Sequence, residues 1–282
     1  MIDLHAHSTA SDGTLTPAKL AAKGRRFSTF ALTDHDTLGG VREFLAAAKE
    51  VSPSAVRLAG VELSVAPGEG YGMFHMLGLG VDPDSPVLNA LLERILAGRD
   101  ERNEKIFSNL AALGMEVSRE EVEAHAKGEV MARPHFARAL VDRGFAEDVK
   151  DAFERFLKAG RPAYAERYRP DPGEAIDAIH AAHGVAVMAH PKFWTGDEAK
   201  LSEGLARWRD RGLDGVEAVY KANSFDETML HLRVAQELGL AATAGSDFHG
   251  GNKPSISLGM DVGDEEAFLA PFFAALERRK KG

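Results

Sequence analysis

Met1-Ile2-Asp3-Leu4-His5-Ala6-His7-Ser8-Thr9 reads as a short apolar strand that runs straight into two histidines. Residues two apart on a strand project to the same face, so His5 and His7 could grip one cation together. Alone, a His-x-His pair arises often by chance, and a single strand histidine is more often a satisfied core group than a ligand. What gives the stretch meaning is its recurrence. Six further short apolar runs follow Ile2–Leu4: Thr29–Leu32, Val56–Val61, Met73–Val81, Val185–Ala189, Gly215–Val219 and Leu240–Ala244. Helix-like spacing of apolar residues lies between most of them, in Pro17–Lys23, Val41–Lys49, Gly173–His183 and Thr228–Leu238. Such alternation predicts an α/β fold with a mainly parallel sheet. Only Ala66-Pro67-Gly68-Glu69-Gly70 separates the third run from the fourth, which predicts a hairpin there.

From about Pro86 to Pro172 the strand signal stops, and the chain becomes helical and charged in Ala90–Leu113, Arg119–Ala126, His135–Arg143 and Ala146–Lys158. The expected organisation is a barrel whose first part is residues 1–85, a helical insertion or cap over 86–172, and a second barrel part over 173–282. Fold logic alone explains the insertion as readily by packing as by contact with substrate.

A chain of 282 residues, 44% hydrophobic and 27% charged, has ordinary globular composition and can bury a sizeable core. Its formal net charge of -9 argues against a broad surface tracking a long nucleic acid, so an anionic substrate must be held locally. The absence of cysteine excludes disulfides, thiolate zinc sites and a cysteine nucleophile. No apolar run approaches the ~18 residues of a membrane span. The motif begins at His5 without a preceding leader-like stretch, so a cytoplasmic protein is expected. The terminal Arg278-Arg279-Lys280-Lys281 reads as the solvated end of a helix.

Polar residues of ligand type follow the other apolar runs too. Asp12 lies in Ser11-Asp12-Gly13, where a turn aspartate is the plain alternative to a carboxylate ligand. Thr33-Asp34-His35-Asp36 offers His35 as the ligand, while Asp36 is expected to cap the following helix. Glu62 sits between apolar neighbours in Gly60-Val61-Glu62-Leu63-Ser64, where an acid is costly unless paired or bound to metal. His75 in Phe74-His75-Met76-Leu77 would pass for a hydrogen-bonded core histidine if seen in isolation. His190 follows the fifth run, and Asp247 and His249 follow the last. In β/α barrels the carboxyl ends of the strands form one rim where catalytic groups collect. Nine groups then converge: His5, His7, Asp12, His35, Glu62, His75, His190, Asp247 and His249. That is too many for one ion. Two or three divalent cations are expected, and mixed nitrogen and carboxylate ligation suits manganese, iron or zinc better than magnesium. Three such ions would exceed the charge of three carboxylates by about +3, an attractive centre for phosphate.

In order along the chain, Asp3-Leu4-His5-Ala6-His7-Ser8-Thr9, Ala31-Leu32-Thr33-Asp34-His35-Asp36-Thr37, Gly60-Val61-Glu62-Leu63-Ser64, Ala189-His190-Pro191 and Gly245-Ser246-Asp247-Phe248-His249 resemble the signatures of the polymerase and histidinol phosphatase (PHP) family. The resemblance implies a distorted (β/α)7 barrel with a trinuclear centre. His5, His7, Glu62 and Asp247 would hold one ion, Asp12, His35 and His249 the second, and Glu62, His75 and His190 the third. The helical stretch Met131-Ala132-Arg133-Pro134-His135-Phe136-Ala137-Arg138 resembles the branch of nucleoside 3',5'-bisphosphate phosphatases and 5'-to-3' exoribonucleases that trim short RNA. Lys192-Phe193-Trp194 after Pro191 departs from the family pattern.

The expected reaction is in-line attack on phosphorus by a hydroxide bridging two metals. Arg133 and His135 are candidates for the substrate's other phosphate, with helix-surface charge and a helix-cap contact as the plain alternatives; Lys192 is a third candidate. The expected partner is a small phosphorylated nucleotide or a short oligonucleotide. Histidinol-phosphate phosphatase and cyclic-nucleotide phosphodiesterase activities would share the metals and differ in the pocket. A non-catalytic PHP module that recruits a nucleic-acid enzyme is the alternative from another class.

Overall fold

Seven strands form one sheet in chain order: β1 (Ile2–Asp3), β2 (Thr29–Leu32), β3 (Val56–Val65), β4 (Phe74–Leu79), β5 (Val185–Met188), β6 (Gly215–Tyr220) and β7 (Ala241–Gly245). The structure, a computed structural model, describes residues 1–126 and 131–281. Pairing is parallel from β1 to β3 and from β5 to β7, while β4 runs antiparallel to both of its neighbours. The sheet nearly closes on itself. Beyond β1 the Leu4 N–H donates to the Ala244 carbonyl at 2.9 Å, and Ala6 bridges Phe248 in parallel sense. The distorted seven-stranded α/β barrel expected from the sequence is what forms.

All seven apolar runs become strands, and the expected hairpin pairs Gly60 with Leu79 through to Val65 with Phe74. Most boundaries shift by one or two residues, and the end of β3 moves furthest. β3 continues to Val65 rather than stopping at Val61, because the antiparallel ladder with β4 keeps its backbone groups paired.

Chain-order helices are α1 (Pro17–Lys23), α2 (Val41–Val51), α3 (Pro86–Ala112), α4 (Arg119–Ala126), α5 (Arg133–Asp142), α6 (Val149–Ala152), α7 (Pro172–Ala181), α8 (Glu198–Asp210), α9 (Phe225–Leu238) and α10 (Glu265–Lys281). Their ends follow local chemistry. Thr16 caps α1 ahead of Pro17, Asp171 caps α7 ahead of Pro172, and Ser224 with Glu227 forms a capping box on α9, which stops at Gly239 in the left-handed region. None of the helices is long and apolar enough to cross a membrane among the described residues.

Two compact units result. Met1–Leu92 with Pro170–Gly282 contains the barrel, and Glu93–Arg169 is helical. In the barrel unit Ile2, Leu77, Val185, Val187 and Ala244 pack with Phe272 and Leu276 of α10. The helical unit has its own core of Ile106, Leu110, Val122, Phe136, Leu140 and Leu157, so each unit buries apolar surface independently.

Candidate metal centre

The segment after β1 is clamped from both sides. His7 N–H donates to Phe248 O and Asp247 N–H to His5 O on one side, and Thr33 N–H donates to Ala6 O on the other. This fixes the backbone of His5 and His7 and brings their rings to 5.2 Å between centroids. The next turn is pinned by the buried Asp34, which accepts from Ser8 N–H at 2.7 Å, Ser8 Oγ at 2.7 Å and Ser11 Oγ at 2.6 Å. Gly13 lets the turn close, since a Cβ there would lie 2.4 Å from His7 O. Asp12 is thereby aimed back at the histidines.

Glu62, fully buried in β3, sits at the middle of the cluster. Its Oε2 faces His5 Nε2 at 3.2 Å, His7 Nε2 at 3.2 Å and His35 Nδ1 at 2.9 Å. Its Oε1 faces His75 Nδ1 at 2.8 Å and His190 Nε2 at 2.9 Å. Around this carboxylate, Asp247 Oδ1 lies 3.3 Å from His7 Nε2 and 3.7 Å from His5 Nε2. Asp12 lies 3.2 Å from His249 Nε2 and 3.6 Å from both His7 Nδ1 and His35 Nε2. All nine sequence-level donors therefore come together in the barrel unit.

Within this cluster, three sets have donor atoms close enough to hold an ion: His7, Asp12, His35 and His249; His5, His7, Glu62 and Asp247; and His35, Glu62 and His75. His190 joins Glu62 and His75 through Oε1. The donor chemistry fits a cation. His5 Nε2, both nitrogens of His7, His35 Nδ1, His190 Nδ1 and Glu62 Oε2 are buried without a hydrogen-bond partner. Such groups cost roughly 1–3 kcal/mol each when left unsatisfied, so donors gathered around one carboxylate point to cations as the missing partners.

Electrostatics separates the donors. Burial would raise the Glu62 carboxyl, but His35, His5 and His75 hold it well below the usual range. Asp12 and Asp247 are likewise held low by neighbouring imidazoles against the effect of burial. Burial, with help from His190 and His35, pushes the His75 imidazole down to about 4 despite Glu62, leaving it neutral at pH 7. Backbone strain gathers here as well: Asp36 (φ 53°), His190 (φ 28°) and Asp247 (φ 55°) are non-glycine residues with positive φ.

Several sequence expectations need correction. Asp36 does not cap a helix; Gly40 stands at the N-cap of α2, and Asp36 accepts from Ser64 N–H at 2.7 Å and Ser64 Oγ at 2.9 Å, tying the end of β2 to β3. Glu62 lies inside β3 rather than after it, and His75 is the second residue of β4. An antiparallel strand presents its amino end where its parallel neighbours present their carboxyl ends, which is why His75 still reaches the cluster. Lys192 Nζ, a substrate candidate in the sequence, donates to Glu227 Oε2 and Ala222 O, both at 2.8 Å, beside the start of α9. Arg133 and His135 belong to the helical unit, where His135 Nδ1 accepts from Ala132 N–H at 3.1 Å and so plays the helix-cap part.

Sequence reasoning passed over three supporting residues. Glu217 Oε1 pairs with His5 Nδ1 at 2.9 Å while Oε2 accepts from His190 N–H at 2.7 Å. The register of β6 against β7 slips just after Glu217, a bulge that re-aims its side chain. Tyr220 and Lys253 donate to Asp247 Oδ2 at 3.1 and 2.6 Å, which leaves Oδ1 turned toward His5 and His7. For Glu217 a signal existed: an acid between apolar neighbours in a strand, the same one that marked Glu62.

Comparison with known proteins agrees with this geometry. Residues 3–162 match the PHP domain family, a stretch that contains His5, His7, Asp12, His35, Glu62 and His75. A 5'-3' exoribonuclease of Haemophilus influenzae is 37% identical over 249 residues, covering 88% of this chain and 89% of its own. A 3',5'-nucleoside bisphosphate phosphatase of Chromobacterium violaceum is 35% identical over 284 residues, covering 99% and 97%. The solved structure of a protein from Bifidobacterium adolescentis, assigned as a metal-dependent phosphoesterase, aligns with a TM-score of 0.76 at 30% identity over 96% of each chain.

Proposed function

The chain belongs to the PHP domain family, and from that premise we propose that it is a metal-dependent phosphoesterase that removes the 3'-phosphate of nucleoside 3',5'-bisphosphates and trims short 5'-phosphorylated RNA. The observation that carries this reading is Glu62, with both oxygens aimed at histidines and a ring of buried donors around it lacking hydrogen-bond partners. The two relatives whose names state these activities share at least 35% of their residues with it over most of its length.

His5, His7, Glu62 and Asp247 hold one ion in this proposal, Asp12, His35 and His249 a second, and Glu62, His75 and His190 a third, with His7 also within reach of the second set. Divalent ions there, manganese with iron or zinc as alternatives, supply positive charge for the phosphoryl oxygens and an activated water for in-line attack. The chain's own residues set the geometry. Glu217 keeps His5 turned so that Nε2 faces the centre, and Tyr220 with Lys253 keeps Asp247 Oδ1 inward. Because His75 is neutral at pH 7, its lone pair is available without first losing a proton. Arg133, His135 and Lys192 are the proposed contacts for the non-scissile phosphate, His135 bonding Ala132 N–H and Lys192 bonding Glu227 besides. A short, locally held substrate in the cytoplasm suits a chain of net charge -9.

The test is a rate comparison of manganese-loaded protein on adenosine 3',5'-bisphosphate, short 5'-phosphorylated RNA and histidinol phosphate. The bisphosphate and the RNA should be turned over fastest. Preference for histidinol phosphate would reject the substrate assignment, and a protein that binds no transition metal under replete conditions would reject the enzyme.

A further inference from the structure

Of the fifteen phenylalanines, all but Phe193 and Phe225 are buried or half-buried. Those two share one place. Phe193 follows β5 and His190, Phe225 opens α9 after β6, and both strands end at the rim where the metal donors gather. Lys192, next to Phe193, donates to Ala222 O and Glu227 Oε2, on either side of Phe225 in the chain. A single exposed apolar residue needs no explanation, but two aromatics at one rim, one against a donor histidine, call for one.

Phe193 is 42% exposed and yet firmly placed. Its ring lies 5.3 Å from that of His190 and 6.0 Å from that of Tyr220, both edge to face. The next residue, Trp194, anchors the turn: its Nε1 donates to Pro67 O at 2.9 Å, its ring stacks on Tyr71 at 4.3 Å, and its carbonyl accepts from Gly72 N–H at 2.8 Å. Gly72 permits this approach, since a Cβ there would lie 2.2 Å from Phe193 O. Phe225, 78% exposed, is set by the capping box around it, where Glu227 Oε2 accepts from Ser224 N–H at 2.7 Å as well as from Lys192. Among the described residues no ring stacks parallel on either phenylalanine. Aromatic rings held in this way take nucleobases, and stacking holds a single strand of any sequence without a basic groove. That suits a chain of net charge -9.

We propose that Phe193 and Phe225 are stacking platforms for two bases of a short single-stranded RNA, Phe193 for the base beside the scissile phosphate and Phe225 for one further from the metals. The assignment to RNA rests on the proposed function; base stacking itself does not.

Manganese-loaded, full-length protein titrated with adenosine 5'-monophosphate and with ribose 5-phosphate isolates the contribution of the base, and neither probe carries a 3'-phosphate. The nucleotide should bind more tightly, and Phe193→Ala should reduce that preference ~5-fold or more, while Phe193→Trp retains it. A preference that survives Phe193→Ala overturns the first platform. So does an equal loss of affinity for both probes together with lower bound metal, which would mean that the ring merely supports His190. Phe225 is read from 5'-phosphorylated triadenylate against adenosine 3',5'-bisphosphate, whose single base does not reach it. The ratio of kcat/KM for the trimer to that for the bisphosphate should fall ~5-fold or more in Phe225→Ala. An unchanged ratio overturns the second platform, as does an altered oligomeric state with the ratio intact, which would make the face a protein contact. If the loaded protein hydrolyses neither substrate, the proposed function fails, while the titrations, with the uncleaved trimer added, still decide whether the two rings hold bases.

Discussion

His5 Nδ1 lies 2.9 Å from Glu217 Oε1, and both side chains are fully buried. A carboxylate oxygen accepts, so Nδ1 keeps its proton toward Glu217 and Nε2 is the nitrogen turned to the centre, the one whose proton a cation displaces. The second oxygen of Glu217 accepts from His190 N–H at 2.7 Å, so one side chain fixes two members of the cluster. Glu217→Gln retains the shape but has only one acceptor oxygen for two donors, and its amide nitrogen must face the other. Metal affinity should fall about 10–100-fold, measured by competition with a chelating dye, while circular dichroism stays unchanged. Undiminished affinity would show that His5 needs no such support.

How much of this was legible in the sequence depends on distance along the chain. The strands and the donor cluster could be read because each ligand type directly follows, or interrupts, an apolar run, as in Ala189-His190 or Val61-Glu62. Asp34 and Asp36 could not be read, since their partners Ser8, Ser11 and Ser64 are set by strand order and register rather than by neighbours in sequence. The antiparallel direction of β4 followed from its short connection, yet its consequence for His75 needed the sheet itself. The β6 bulge that aims Glu217 leaves no mark in hydropathy.

Metal uptake should release protons and strengthen as pH rises. Burial would lower the His7 imidazole, but Asp247, Glu62 and Asp12 outweigh it and push the group up to about 10 in the metal-free protein. His5 is raised in the same direction against burial by Glu217 and Glu62. Both rings therefore carry protons at neutral pH that a cation must displace, whereas His75, at about 4, has none to lose. Calorimetry of manganese binding at pH 7 in buffers of differing ionisation enthalpy should report net proton release. A heat that is independent of buffer contradicts the prediction.

Gly245 ends β7 at a point where no side chain fits. A Cβ there would meet His5 Cβ and Glu217 Oε1, each at 2.3 Å, and His5 N at 3.2 Å. Gly245→Ala must push the segment after β1 away from β7 or displace Glu217. Overpacking of this kind costs about 1–3 kcal/mol, and the displaced His5 should lower bound metal as well. Urea unfolding together with metal analysis checks both, and a variant with native stability and full metal content would show that the barrel seam yields freely.

Acid sensitivity should have a second source, away from the metal centre. Asp214, 5% exposed, joins three elements of the barrel unit: its Oδ2 pairs with His180 Nε2 of α7 at 2.9 Å and accepts from Ala186 N–H of β5 at 3.0 Å, and its Oδ1 accepts from Arg279 Nη2 of α10 at 2.6 Å. Burial pushes this carboxyl up, but the hydrogen bonds from His180, Arg279 and Ala186 outweigh it and hold the group below its ordinary value. A folded pKa below the unfolded one, roughly 3.9 for aspartate, means the stabilisation is fully present above that pH and is lost as pH falls through the folded value. Breaking a fully buried pair costs ~3–5 kcal/mol; with Arg279 30% exposed, Asp214→Ala should cost about 2–3 kcal/mol at pH 7. Because the wild type forfeits this contribution in acid while the variant never had it, the gap in urea stability between them should narrow from pH 7 to pH 3. A gap of constant size would mean that the Asp214 charge contributes nothing and that only the lost packing of its side chain is being measured.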